Sequence, residues 1–133
     1  MPANTTPIFA LTPQLYLARI TGTTTNKSGG TTDNLVTLVT AAVNGTKVTQ
    51  IGFKFVGTST AGTLLIFISN TDGTTLRLFD EILITAVTSS TTALSARQVN
   101  FYSDLQIKSG QRILVGATTV NTPIDVFAQI GDF

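Results

Sequence analysis

Residues 35–56 read LVTLVTAAVNGTKVTQIGFKFV, and the second half of that stretch sets the fold class. Over 47–56, Ile51, Phe53 and Phe55 fall on one side of an extended chain, with Gln50, Gly52 and Lys54 on the other. Successive side chains alternate across a strand, so this spacing predicts a β-strand with one buried face. Upstream, 35–43 is a second β-rich run. Asn44-Gly45 between the two runs is the dipeptide favoured in two-residue hairpins, so the pair is expected to form one.

The same punctuation recurs outward from that point. Residues 15–21 (LYLARIT) predict a short strand, followed by a polar, mobile Thr/Gly/Ser loop over 22–33. Residues 63–69 (TLLIFIS) are apolar on both faces, as a central strand should be. Asn70-Thr71-Asp72-Gly73 has turn composition. After it, 75–84 carries Leu76, Leu78, Ile82 and Ile84 at period two, interrupted at Asp80. A Thr/Ser loop follows at 85–92. In 97–107 the alternation assigns Val99, Phe101, Leu105 and Ile107 to one face and Gln98, Asn100, Tyr102, Asp104 and Gln106 to the other. Lys108-Ser109-Gly110-Gln111 turns the chain into 112–120, and Asn121-Thr122-Pro123 turns it into 124–130.

About eight strands with regular turn signals and no capped helical stretch predict an all-β protein. The most economical arrangement is a jelly-roll-like antiparallel sandwich of two sheets, with an immunoglobulin-like sandwich as the runner-up. Residues 1–14 differ from the rest. Pro2, Pro7 and Pro13 fix φ and hold their predecessors extended, and Ile8, Phe9 and Leu11 lie among them. This segment is expected to be an N-terminal arm engaging a neighbour, with 15–133 as the sandwich domain. Pro7, Ile8, Phe9 and Leu11, together with Phe133 at the far end, are the expected partner-contact residues.

The composition argues for a surface over a reaction. The chain has no His, Cys or Trp, and 11% of its residues are charged, against roughly 25% in ordinary proteins. Thr supplies roughly a fifth of all positions, a β-branched residue suited to the solvated face of a strand. Asp80-Glu81 is the sole adjacent carboxylate pair, and on a strand its members face opposite sides. Lys108-Ser109 lies in a turn. Asp72 offers calcium one side chain where six to eight oxygens are needed. Tyr16 and Tyr102 lie outside any basic stripe, and a net charge of +1 gives no field to steer nucleic acid. No enzyme activity, cofactor, metal, nucleic acid or small-molecule substrate is expected. No apolar run approaches the roughly 20 residues of a membrane-spanning helix. The opening MPANTTPIF lacks the features of a signal peptide. A weakly charged surface favours association between copies, and a homotrimer is expected.

The opening Asn4-Thr5-Thr6-Pro7-Ile8-Phe9, the Thr-rich all-β body and the ending Ala128-Gln129-Ile130-Gly131-Asp132-Phe133 resemble the small structural proteins of tailed bacteriophages. That resemblance implies a capsid decoration (cement) protein in the virion, assembled in the host cytoplasm. Its partners would be the major capsid protein and its own copies. The alternative is a tail, fibre or glycan-recognition β-module reading its target with 22–33, 85–92 and the two tyrosines. A hydrolase relying on Asp125 or Asp132 ranks last.

Overall fold

The computed structural model describes residues 12–28 and 34–133. They form eight strands: β1 (Thr12–Ile20), β2 (Val36–Thr40), β3 (Thr46–Phe55), β4 (Gly62–Ser69), β5 (Leu76–Ile84), β6 (Arg97–Ile107), β7 (Arg112–Ala117) and β8 (Ile124–Asp132). Two four-stranded sheets result, one in the order β1-β8-β3-β6 and the other β2-β7-β4-β5. Every pairing is antiparallel, and the pairs nest: β4 with β5, β3 with β6, β2 with β7, β1 with β8. All connections except β4–β5 cross from one sheet to the other. This is jelly-roll winding, a long hairpin of four strand pairs folded over on itself.

The expected Asn44-Gly45 hairpin is therefore not one. The turn is present, closed by the Gly45 N–H on the Ala42 carbonyl at 2.9 Å, but β2 pairs with β7 and β3 with β8 and β6. The dipeptide specifies a tight reversal, and both flanking strands find better partners in different sheets. Asn70–Gly73 does form the hairpin between β4 and β5.

The core lies between the sheets. Ile51, Phe53 and Phe55 of β3 are buried as the alternation requires, with the two phenyl rings edge to face, 5.8 Å between centroids. They meet Leu64 and Ile66 of β4, Ile113, Val115 and Ala117 of β7, and Val126 and Ala128 of β8.

β4 is apolar on both faces because it is covered on both. Its outward Leu65 and Phe67 join Leu76 and Leu114 in a second buried cluster flanked by Leu35 and Leu78. The described ends of the β1–β2 connection lie over this side: a Cβ on Gly116 would sit 2.7 Å from Leu35 and 3.2 Å from Thr24. The Thr24 N–H bonds the Ala117 carbonyl at 2.8 Å, and Lys27 pairs with Glu81 at 2.7 Å. The described part of the expected mobile loop thus serves as a cover, with Thr24 buried.

Strand β1 begins at Thr12, and Thr12–Gln14 pair with Asp132–Ile130. The sandwich so reaches three residues into the expected 1–14 arm, and residues 1–11 lie outside the described residues.

Candidate interaction face

Alternation and cross-strand register together place the outward side chains of the β1-β8-β3-β6 sheet in rows. Leu17, Phe127, Gly52 and Val99 stand side by side across all four strands. The next row is Leu15, Gln129, Gln50 and Phe101. Leu15, Leu17 and Phe101 are 57%, 71% and 78% exposed. Gly52 is what flattens the centre of this face. A Cβ there would lie 2.6 Å from the tip of the Phe127 ring and 2.7 Å from the Gln98 carbonyl. Phe127 can therefore lie across the strand, and the Arg97 guanidinium sits 5.5 Å from its ring centroid, within cation–π range.

Four strands at ~4.8 Å and two rows of side chains make a face on the order of 300 Å², apolar apart from Gln50 and Gln129. Patches of that size on a monomer are commonly functional. One side of it is bounded by the row Arg19, Asp125, Lys54 and Arg97. Arg19 and Asp125 bind each other through two hydrogen bonds of 2.7 and 3.0 Å. That contact lowers the Asp125 pKa and raises that of Arg19. Lys54 donates to the Ser95 carbonyl. With Asp125 satisfied by Arg19, the rim is left basic. On the other sheet, outward Leu65, Phe67, Leu76 and Leu114 are buried in the cluster beside Leu35, which leaves Phe79 and Leu83 of β5 as its exposed large apolar side chains among the described residues.

Sequence alternation misses this face because it carries one parity through the whole of β6. Opposite β3, Val48 pairs with Leu105 and Gln50 with Phe101, so Tyr102, Ser103 and Asp104 together oppose Thr49. The bulge reverses the parity of the strand. Leu105 and Ile107 face inward as expected, but upstream Phe101 and Val99 face out and Asn100 and Tyr102 face in.

A second bulge has the same effect in β5. Ile66 pairs with Asp80 and Phe67 with Leu78, leaving Phe79 unpaired. Leu76 therefore joins the outer cluster while Ile82 and Ile84 join the core. Asp80 is carried to the inner side at the sandwich margin, where it accepts from Tyr102 Oη at 2.7 Å and Asn100 Nδ2 at 2.9 Å. Burial there opposes its charge, but the bonds from Tyr102, the Glu81 N–H and Asn100 outweigh it and lower its pKa. Tyr102 is pushed well above the ordinary tyrosine range by burial and by Asp80.

The remaining singled-out residues are dispersed. Tyr102 is half-buried between the sheets and offers no open stacking platform. Asp125 and Asp132 occupy opposite ends of β8, about 23 Å apart at ~3.3 Å per residue. Asp132 accepts from Gln14 and Thr46. Asp72 accepts from Thr75 Oγ1 and the N–H groups of Thr74 and Thr75, which lower its pKa to about 2. Among the described residues no group of three or more His, Cys, Asp or Glu is placed to hold a metal ion, and no helix is long and apolar enough to cross a membrane. Phe133 is half-buried, its N–H bonding the Gly45 carbonyl, and it lines an open cavity of about 310 Å³ with Asn44, Gln106 and Lys108. Pro7, Ile8, Phe9 and Leu11 lie outside the described residues.

No protein-family model matches the chain, and no curated protein matches it in sequence.

Proposed function

We propose that the protein is a structural component of a virus particle, a capsid decoration protein that reinforces a phage head through contacts with the major capsid protein and with its own copies. The observation that carries this reading is the uncovered apolar face of the β1-β8-β3-β6 sheet. The sandwich presents Leu15, Leu17, Phe127, Val99 and Phe101 as one surface, while on its other sheet Leu65, Phe67, Leu76 and Leu114 are buried in a cluster beside Leu35.

Broad, shape-matched contact suits such a role. A stable interface buries roughly 800 Å² on each partner, so this patch would form the centre of one. Its basic rim suits a partner carrying carboxylates around an apolar centre. Many copies on one lattice gain strength by avidity, so each needs only modest affinity.

The test is electron microscopy of the native assembly, with Phe101→Asp as the variant. Phe101 is 78% exposed, so the substitution should leave the fold intact. Density for the chain on the capsid exterior, lost in the variant, supports the reading. A wild-type chain absent from purified particles, or a variant that binds them unchanged, overturns it.

A further inference from the structure

We propose that β1 is the joint to a second copy of this chain, pairing antiparallel with the partner's β1 about a two-fold axis at Tyr16. The two four-stranded sheets would then continue as one of eight strands. This inference stands without the virion reading, since it needs only a second copy.

Four strands lie at sheet margins: β1 and β6 in one sheet, β2 and β5 in the other. Proteins blunt exposed margins with short strands, bulges, prolines and charged side chains, lysine above all. β2 has five residues and a register shift between Thr37 and Val39. β5 bulges at Phe79, and β6 bulges at Tyr102–Asp104. β1 is neither short nor bulged, and its one proline, Pro13, stands beside its first residue. Its nine residues run in unbroken register with β8, from Thr12 opposite Asp132 to Ile20 opposite Ile124. Its one charged residue, Arg19, is already neutralised by Asp125 on the adjoining strand.

Pro13 shows which backbone groups are free. A strand proline is tolerated where its missing donor points away from the ladder. Backbone direction alternates along a strand, so Leu15, Leu17 and Arg19 direct their N–H and C=O groups to the same side, which carries no strand among the described residues. The side chains then fix the register. Centring the axis on Tyr16, the midpoint of Thr12–Ile20, pairs all nine residues. It sets Leu15 opposite the partner's Leu17 and Leu17 opposite the partner's Leu15. No other centre places both leucines against leucines. Two side chains that are 57% and 71% exposed thus become cross-strand apolar pairs. The joint is isologous, so it closes at two chains and does not propagate into a fibre.

The experiment uses the purified full chain with no capsid present. Sedimentation at micromolar concentration should give the mass of two chains, and Leu17→Lys should give the mass of one with an unchanged far-UV spectrum. The chain has no cysteine, so engineered pairs report cleanly. Leu15→Cys/Leu17→Cys should yield a two-chain species under oxidation that thiol reductant separates, since paired strands hold Cα atoms within disulfide range. Leu83→Cys, at a 67% exposed position on β5, should not. A single-chain mass at all concentrations overturns the proposal. So does a three-chain mass without the crosslink, or a dimer that survives Leu17→Lys.

Discussion

The Tyr102 hydroxyl donates to Asp80 across 2.7 Å, and that bond ties β6 of one sheet to β5 of the other at the margin where the sandwich would otherwise gape. Phe79, extruded by the adjacent bulge, lays its ring 5.9 Å from the Tyr102 ring. Two irregularities in two strands thus make one clasp.

Tyr102→Phe should lower stability by about 2 kcal/mol at pH 7, the scale of a hydrogen bond to a charged group, measured by urea unfolding. The sign of the pH effect follows from Asp80. Its folded pKa is depressed, so its contribution is present above the unfolded value near 3.9 and is lost as pH falls through the folded value. The gap between wild type and variant should therefore narrow at pH 3. Tyr102 works in the other direction. Its folded pKa is raised, so its contribution is present below about pH 10 and is lost at higher pH, a loss the variant should not show.

Gly110→Ala should cost about 3 kcal/mol in thermal or chemical unfolding. Gly110 has φ +93°, and a Cβ there would stand 2.3 Å from the Thr71 carbonyl oxygen at the tip of the β4–β5 hairpin. Left-handed strain and a backbone clash add. Gly73→Ala is the matched control. Its φ is +75°, but its nearest neighbours would be 3.4 Å away, so about 1 kcal/mol of strain is expected without the clash.

Leu65→Ala should cost about 3 kcal/mol although Leu65 points away from the main core. It is fully buried in the outer cluster near Leu35. The same variant should speed hydrogen exchange at Thr24, whose N–H bonds Ala117, more than at Ile51 in the main core.

Asp72 should titrate with a midpoint of about 2 by carboxyl NMR, because Thr74 and Thr75 hydrogen-bond its ionised form. Thr75→Val removes the hydroxyl donor, the largest contributor, and should move the midpoint toward the ordinary value near 3.9.

Strand positions were legible in the sequence because local alternation and turn composition agree there. Phe53 and Phe55 follow period two against Lys54, and the structure buries them as that period requires. What could not be read was set by partners distant in the chain. Asn44-Gly45 encodes a reversal but says nothing of which sheet receives β3. The bulge opposite Thr49 depends on how β3 and β6 meet, so Phe101, which alternation groups on one face with Ile107, is exposed while Ile107 is buried. The candidate face was hidden for the same reason, since its rows are drawn from four strands that only the winding brings together. Leu15 and Leu17 at period two were the available signal, and their partners, Gln129 and Phe127, lie at the far end of the sequence.

The order of the first sheet also constrains biosynthesis. Strand β8 lies between β1 and β3, yet it comes last of the eight in chain order. Until Ile124–Asp132 emerge from the exit tunnel, Thr12–Ile20 has no neighbour in its sheet and one flank of Thr46–Phe55 stays bare. The nascent chain must therefore keep Thr12–Ile20 from sticking to other polysomal chains while residues 21–123 are made.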